Sequence, residues 1–237
     1  GQPMGMIYGY IYEGTYKYDD FDKSGSSYTL KGNIPHYVSE SNTQPGMPKY
    51  KDLNGDGIID TNDRTMIGRG LPIHTGGFTN NFEYKGFDLS VFFQWSYGND
   101  VLNANRLFFD SGFQKKRELN QYASYTDRWT PENPNSNIPA ATNSSSNLVI
   151  SSRVVEDASF LRLKTVTLGY TVPKTFLKKY KIDNARLYVA AQNLWTITGY
   201  SGYDPEVSIR SGGLTPGLDF SSYPRALSVS FGINLGF

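Results

Sequence analysis

Leu227-Ser228-Val229-Ser230-Phe231-Gly232-Ile233-Asn234-Leu235-Gly236-Phe237 alternates strictly, with every odd position apolar and every even position small or polar. Side chains of an extended chain point to opposite faces with a period of two, so this run reads as a strand with one apolar and one polar face. Residues 87 to 97 repeat the pattern, with Phe87, Leu89, Val91, Phe93, Trp95 and Tyr97 opposite Asp88, Ser90, Phe92, Gln94 and Ser96. Residues 185 to 195 follow it more weakly, setting Leu187, Val189, Ala191 and Trp195 against Arg186, Tyr188, Ala190 and Gln192. Further strands are expected over 73 to 84, 158 to 171 and 4 to 12, which makes about six and an all-β fold.

Alternation by itself also suits a soluble sandwich with its apolar faces turned inward. Length and connection pattern favour another solution. The expected strands run about 10 to 13 residues, longer than the usual ~5 to 6 of soluble sheets and close to the ~9 to 11 that cross a bilayer when tilted. A tight turn at Tyr84-Lys85-Gly86 and a moderate one over 172 to 183 alternate with long loops over 98 to 157 and 199 to 223. Short turns on one side and long loops on the other describe a transmembrane antiparallel β-barrel with long extracellular loops. Tyr84, Trp95, Tyr97, Tyr170, Trp195 and Tyr200 then form interfacial girdles at the strand ends, against outer-membrane lipid. If the last strand ends in the periplasm, counting back places 199 to 223, 98 to 157 and roughly 13 to 72 outside the cell. An open edge in lipid leaves backbone groups unpaired, and closure takes at least about eight strands. Residues 1–237 are therefore expected to be the carboxyl-terminal portion of a longer polypeptide, which also accounts for the lack of a signal peptide at Gly1-Gln2-Pro3-Met4-Gly5.

Composition narrows the function. The 237 residues carry 23 Lys+Arg against 22 Asp+Glu, a net charge of +1, which argues against a nucleic-acid partner. No cysteine is present, so disulfides, thiolate nucleophiles and Cys-ligated zinc are excluded within it. No run approaches the ~18 apolar residues of a membrane helix. His36 and His74, the two histidines, stand in no nucleophile or metal context and read as ordinary surface or lumen residues. Asp204-Pro205-Glu206 lies in a Gly- and Tyr-rich stretch and reads as a rigid turn rather than an acid and base pair. Two basic runs, Lys115-Lys116-Arg117 in an outer loop and Lys174 to Lys181 in a periplasmic turn, read as solvated faces or as lipid-headgroup contacts. Tyr122, Tyr125 and Trp129 either stack on a sugar or peptide or pack their loop.

The sharpest local motif is Asp52-Leu53-Asn54-Gly55-Asp56-Gly57-Ile58-Ile59-Asp60-Thr61-Asn62-Asp63. It matches the twelve-residue calcium loop at positions 1, 3, 5 and 9, has glycine at 6, and closes on Asp63 where glutamate is usual. The expected ligands are the side chains of Asp52, Asn54 and Asp56, the carbonyl of Ile58, Asp60 directly or through water, and Asp63 with one or both oxygens. Calcium would serve as one structural ion. The bland alternative is an Asx-rich surface turn. A fainter echo, Asp20-Phe21-Asp22-Lys23-Ser24-Gly25, has Lys31 at the closing position and reads as a turn.

These motifs, together with Phe160-Leu161-Arg162-Leu163-Lys164 through Gly169-Tyr170-Thr171-Val172-Pro173, Gln192-Asn193-Leu194-Trp195, Gly202-Tyr203-Asp204-Pro205-Glu206, Tyr223-Pro224-Arg225 and Arg128-Trp129-Thr130-Pro131-Glu132-Asn133-Pro134, resemble the carboxyl-terminal part of SusC/RagA-like TonB-dependent outer-membrane transporters over nearly the whole chain. The resemblance implies a 22-stranded barrel with an amino-terminal plug, energised through TonB and importing oligosaccharides or peptides beneath a SusD-like surface lipoprotein. It implies a Gram-negative outer-membrane location and no enzyme activity. The plug, the TonB-contacting region and the remaining strands lie outside these residues. Phe237 resembles the terminal aromatic by which the outer-membrane assembly machinery recognises its clients. The competing reading is a secreted β-rich calcium-binding adhesion or glycan-binding module, which would bury its apolar strand faces.

Overall fold

The computed structural model describes residues 2–112, 120–143, 147–208 and 215–237, which fall into two compact units. Gly1–Leu71, Asp100–Glu156 and Val207–Ser222 make the first unit, and Pro72–Asn99, Asp157–Glu206 and Tyr223–Phe237 the second. In chain order the first unit opens with β1 (Met6–Gly9), β2 (Tyr12–Thr15), β3 (Phe21–Ser24), β4 (Ser27–Leu30), β5 (Pro48–Tyr50) and β6 (Thr65–Arg69). The second contributes β7 (His74–Tyr84) and β8 (Phe87–Tyr97), and the first resumes with β9 (Asp100–Asn103), α1 (Ala104–Phe109) and β10 (Val155–Asp157). Next come β11 (Phe160–Thr171), α2 (Lys174–Leu177) and β12 (Asn184–Thr198) in the second unit, β13 (Leu218–Asp219) in the first, and β14 (Ser228–Gly236) in the second.

The first unit is held by short antiparallel pairs, β1 with β6, β2 with β5 and β3 with β4, around two small aromatic cores. Tyr10, Tyr50 and Ile59 form one core and Tyr16, Phe21 and Leu30 the other. The stretch from 4 to 12, expected as one long strand, belongs here and is broken. Past Gly9 the backbone of Tyr10 leaves β6 and bonds Ile150 and Ser152 instead, so β1 stays four residues long. The long-strand count is therefore five rather than six.

Those five form one antiparallel meander in the order β7-β8-β11-β12-β14, each strand hydrogen-bonded to the next long strand in sequence. They contain 11, 11, 12, 15 and 9 residues. At about 3.3 Å per residue an eleven-residue strand reaches roughly 36 Å, and a tilt of about 45° brings that to the ~25 Å apolar band of an outer-membrane barrel. The β7–β8 hairpin turns at Lys85 (φ 48°) and Gly86 (φ 86°), the paired positive φ values that match strand twist. One bulge interrupts the ladder, where Lys164 of β11 is skipped and Asn193 of β12 takes a φ of 53°.

Register puts like with like. Phe82, Leu89, Leu168, Val189 and Phe231 form one row across all five strands, and Asn81, Ser90, Thr167, Ala190 and Ser230 form the adjacent row on the other face. The apolar face is open: Phe82 is 59% exposed, Leu168 44%, Leu187 47%, Phe231 82% and Ile233 65%. A soluble sandwich would cover these side chains, and no element of this unit does. Asn80 on the β7 edge is an exception to the apolar pattern. Phe93, Val229 and Phe231 share the apolar face, and Gln94, Ser228 and Ser230 the polar one, as the alternation requires. At the hairpin end Tyr84, Phe87 and Tyr170 gather, and at the other end Trp95, Tyr97, His74 and Trp195. Tyr200 departs from the girdle: it is 5% exposed, its ring lying against Gly202 in the turn after β12.

Candidate functional site

Residues 52–63 wind through two glycines with positive φ, Gly55 (78°) and Gly57 (82°), where a Cβ would meet open space. Conformation, and not crowding, therefore requires glycine at both positions. The carboxylate of Asp52 accepts from the amides of Gly55 (2.7 Å) and Gly57 (2.8 Å), and that of Asp56 from Ile58 (2.8 Å). Asn54 accepts from the Asp56 amide at 3.0 Å, and Asp60 from the Asn62 amide at 2.7 Å. Asp63, fully buried, closes the loop by accepting from Leu53 (2.7 Å) and Asp60 (2.8 Å). Burial works to raise its pKa, yet the amides of Asp60, Leu53 and Asn54 outweigh it and hold Asp63 below the ordinary carboxylate value.

The loop is anchored from beneath. Ile59 is 2% exposed in the Tyr10–Tyr50 core, and His36 brackets it by accepting the Ile59 amide and donating to the Gly57 carbonyl. His36 is thus a backbone prop for the loop. All six expected ligand positions lie on one continuous turn: four aspartate carboxylates, the Asn54 side-chain amide and the Ile58 carbonyl. Among the described residues, however, no three Asp, Glu or His side chains gather in metal-holding geometry. Their oxygens face backbone amides and, at Asp56 and Asp60, also the side-chain amides of Asn54 (2.8 Å) and Asn62 (3.3 Å), and an oxygen accepting one N–H retains a second lone pair.

Side-chain chemistry that sequence reading missed lies on the polar face of the sheet. Arg162, 2% exposed, donates to Thr196 at 2.9 Å through Nε, to Asp204 at 2.6 Å and to Glu206 at 2.7 Å. Asp204 also accepts from the amides of Glu206 and Arg225, while Glu206 meets Arg225 Nε at 3.2 Å and Lys164 Nζ at 3.4 Å. Three cations thus surround two carboxylates, and the Asp204-Pro205-Glu206 turn is a clamp rather than an acid and base pair. Burial raises the Asp204 pKa, but the Glu206 amide, the Arg162 guanidinium and the Arg225 amide together bring it below the usual carboxylate range. The available signal was Arg162 itself, an ionised residue on a strand whose partner had to come from elsewhere in the chain.

A second device spans three strands. Arg186 on β12 pairs with Asp88 on β8 by passing over Gly169 of β11, where a Cβ would lie 2.4 Å from both the guanidinium and the carboxylate. That pair lines a cavity of about 650 Å³ beside the β7–β8 turn. In the first unit, Asp110 is fully buried against Arg153 (3.0 Å), Arg106 (3.2 Å) and Ser124 (3.1 Å). His74 accepts from the Trp95 indole at 3.1 Å and stacks on Tyr97. Trp129 is buried and packs on Tyr18 and Gly46, so loop packing accounts for it, whereas Tyr122 touches Phe109 and stays 41% exposed. Lys115-Lys116-Arg117 lies outside the described residues.

No family model matches the chain. It is 37% identical over 242 residues to TonB-dependent receptor P3 of Formosa agariphila, a match covering all of this chain and 22% of that protein. It is 28% identical over 201 residues to TonB-dependent receptor SusC of Bacteroides thetaiotaomicron, covering 84% of this chain and 18% of that protein. Among solved structures, that of the RagAB peptide transporter superposes with a TM-score of 0.69 at 26% identity, over 98% of this chain and 23% of the other. The chain spans about a fifth of the length of these relatives, which are receptors and transporters rather than enzymes.

Proposed function

This chain is a segment of a SusC/RagA-like TonB-dependent receptor, and we propose that it supplies the carboxyl-terminal strands of an outer-membrane barrel that imports oligosaccharides or peptides with a SusD-like surface lipoprotein. The observation that carries this reading is the five-stranded meander with an open apolar face and a polar face bearing buried ion pairs. A strand system that trades water for lipid on one side and lines a polar lumen on the other accounts for both faces. The amino-terminal plug and the TonB contact belong to the rest of the receptor. Placed in lipid, the short turns at 84–87 and 172–183 face the periplasm, and the segments joining β8 to β11 and β12 to β14 face the exterior.

Calcium at residues 52–63 is part of this proposal. The oxygen-only set Asp52, Asn54, Asp56, Ile58, Asp60 and Asp63 is the chemistry of a hard-cation site, and the glycine-enabled turn brings it into one loop. Four carboxylates in twelve residues repel one another, and one ion would tighten a loop already tethered by Ile59. Extracellular sites of this kind bind as weakly as about 0.1 to 1 mM. Calorimetric titration of the intact receptor should give one site that disappears with Asp52→Ala and with Asp56→Ala. Stoichiometric calcium surviving both substitutions removes the assignment.

The transport reading is tested in cells. Deleting the parent gene should abolish growth on one class of oligomeric nutrient, and detergent extraction should recover the surface lipoprotein with the receptor. Growth unchanged on every glycan and peptide mixture that supports the wild type would refute it.

A further inference from the structure

The segment joining β11 to β12 is Val172-Pro173-Lys174-Thr175-Phe176-Leu177-Lys178-Lys179-Tyr180-Lys181-Ile182-Asp183. Residues 174–181 contain four lysines and no acid. Among the described residues none of these lysines enters an ion pair, and all four are exposed. Phe176 and Tyr180, four residues apart, are 69% and 67% exposed. An exposed aromatic pair amid unpaired lysines has no use for water alone.

Its side of the sheet is legible. Ala185 stands on the apolar face, opposite Leu235 and two residues before Leu187, yet it is 7% exposed while those two are about half exposed. Leu177 is also 7% exposed, and α2 packs on β12. The segment therefore shields Ala185 on the apolar side of this end of β12 and leaves the rows beyond it open. Its return is fixed by Lys181 in the left-handed region (φ 56°) and by the Asp183 amide donating to Gly236 at 2.8 Å. Tyr84, 69% exposed, lies at the same end, with the Lys85 ammonium over its ring at 5.1 Å.

We propose that this turn is an interfacial foot seated in the headgroup layer of an anionic phospholipid leaflet. Phe176 and Tyr180 enter the acyl boundary, continuing the apolar face of the strands, and Lys174, Lys178, Lys179 and Lys181 reach up to lipid phosphates. Long cationic side chains lay their methylenes along apolar surface while the ammonium stays at the polar layer. A basic segment beside a membrane gains about fivefold in partitioning per lysine when the surface is anionic, and a short amphipathic helix adds affinity in proportion to its buried apolar area. The proposal rests on the reading of the apolar face as lipid-facing.

The two are separable in the full-length receptor reconstituted into phosphatidylethanolamine vesicles with or without phosphatidylglycerol. These 237 residues contain no cysteine, so Phe176→Cys and Phe231→Cys can each carry an environment-sensitive fluorophore in a receptor cleared of other reactive thiols. Nitroxide-bearing lipid should quench both labels. With phosphatidylglycerol present, quenching at 176 should strengthen several-fold, and combined Lys178→Gln and Lys179→Gln or high salt should erase that gain while leaving 231 unchanged. Quenching at 231 with none at 176 overturns the foot and keeps the lipid-facing sheet. No quenching at 231 overturns both. Equal quenching at 176 with and without phosphatidylglycerol overturns the anionic-lipid assignment.

Discussion

Arginine placed at Val91 and at Ser90 should separate the two faces of the sheet. The residues are neighbours in β8, yet Val91 stands in the row with Val166, Ala191 and Val229, and Ser90 in the row with Asn81, Thr167, Ala190 and Ser230. Val91 lies four residues from Phe87 and four from Trp95, the aromatics marking the two strand ends. At about 3.3 Å per residue and a tilt near 45°, it sits roughly 9 Å in depth from either girdle, close to the midplane. A guanidinium there should cost about 2 to 4 kcal/mol. At Ser90 it would face a polar lumen, with an expected cost under about 1 kcal/mol. The expected gap of about 1 to 4 kcal/mol corresponds to a change of roughly five- to nearly a thousandfold in the folded-to-unfolded ratio. Equilibrium urea unfolding of the full-length receptor from lipid vesicles reads it directly. Were the apolar face open to water instead, Val91→Arg would fall within about 0.5 kcal/mol of the wild type, as exposed substitutions do. Equal effects at the two positions, or a larger one at Ser90, would refute the lipid-facing assignment.

Arg162→Met should free the turn at 204–206, because one partner of a buried pair is removed, at a cost of up to about 3 to 5 kcal/mol that Arg225 and Lys164 partly offset. Protease nicking after β12 should rise sharply in the receptor, while Lys164→Gln, a more exposed partner at 3.4 Å, should change it little. Identical protection in Arg162→Met and wild type would contradict the clamp. Gly169→Val should break the Arg186–Asp88 pair, since its Cβ falls 2.4 Å from both partners. Asp88→Asn added to it should then cause almost no further loss of stability, and strict additivity would show that the pair is not coupled through Gly169. The depressed Asp204 carboxyl predicts acid release of the same turn. A group whose folded pKa lies below its unfolded value stabilises fully above the unfolded value, about 4, and loses that contribution as pH falls through the folded value. Cleavage at the turn should therefore stay flat from neutral pH down to about 5 and climb below about 4, and a rise centred near pH 6 would point to some other group.

Period-two patterning determined the strands and their faces, because a strand's side chains alternate whatever it pairs with. Residues 227 to 237 and 87 to 97 could be placed from their own composition, and the register confirms each face. The same rule failed at 4 to 12. Its residues suit a strand, but tertiary bonds from Tyr10 to Ile150 and Ser152 decide where it ends. The turn at 52–63 was legible through Gly55 and Gly57, since positive φ leaves a composition signal. Which amides its carboxylates accept, and the core that swallows Ile59, were not. Charge pairing was invisible for a simpler reason. Arg162 meets Asp204 and Glu206 across more than forty residues, and Arg186 meets Asp88 across 98. Contacts at that separation have no local periodicity, so only the folded sheet, which lays Gly169 between Arg186 and Asp88, could decide them.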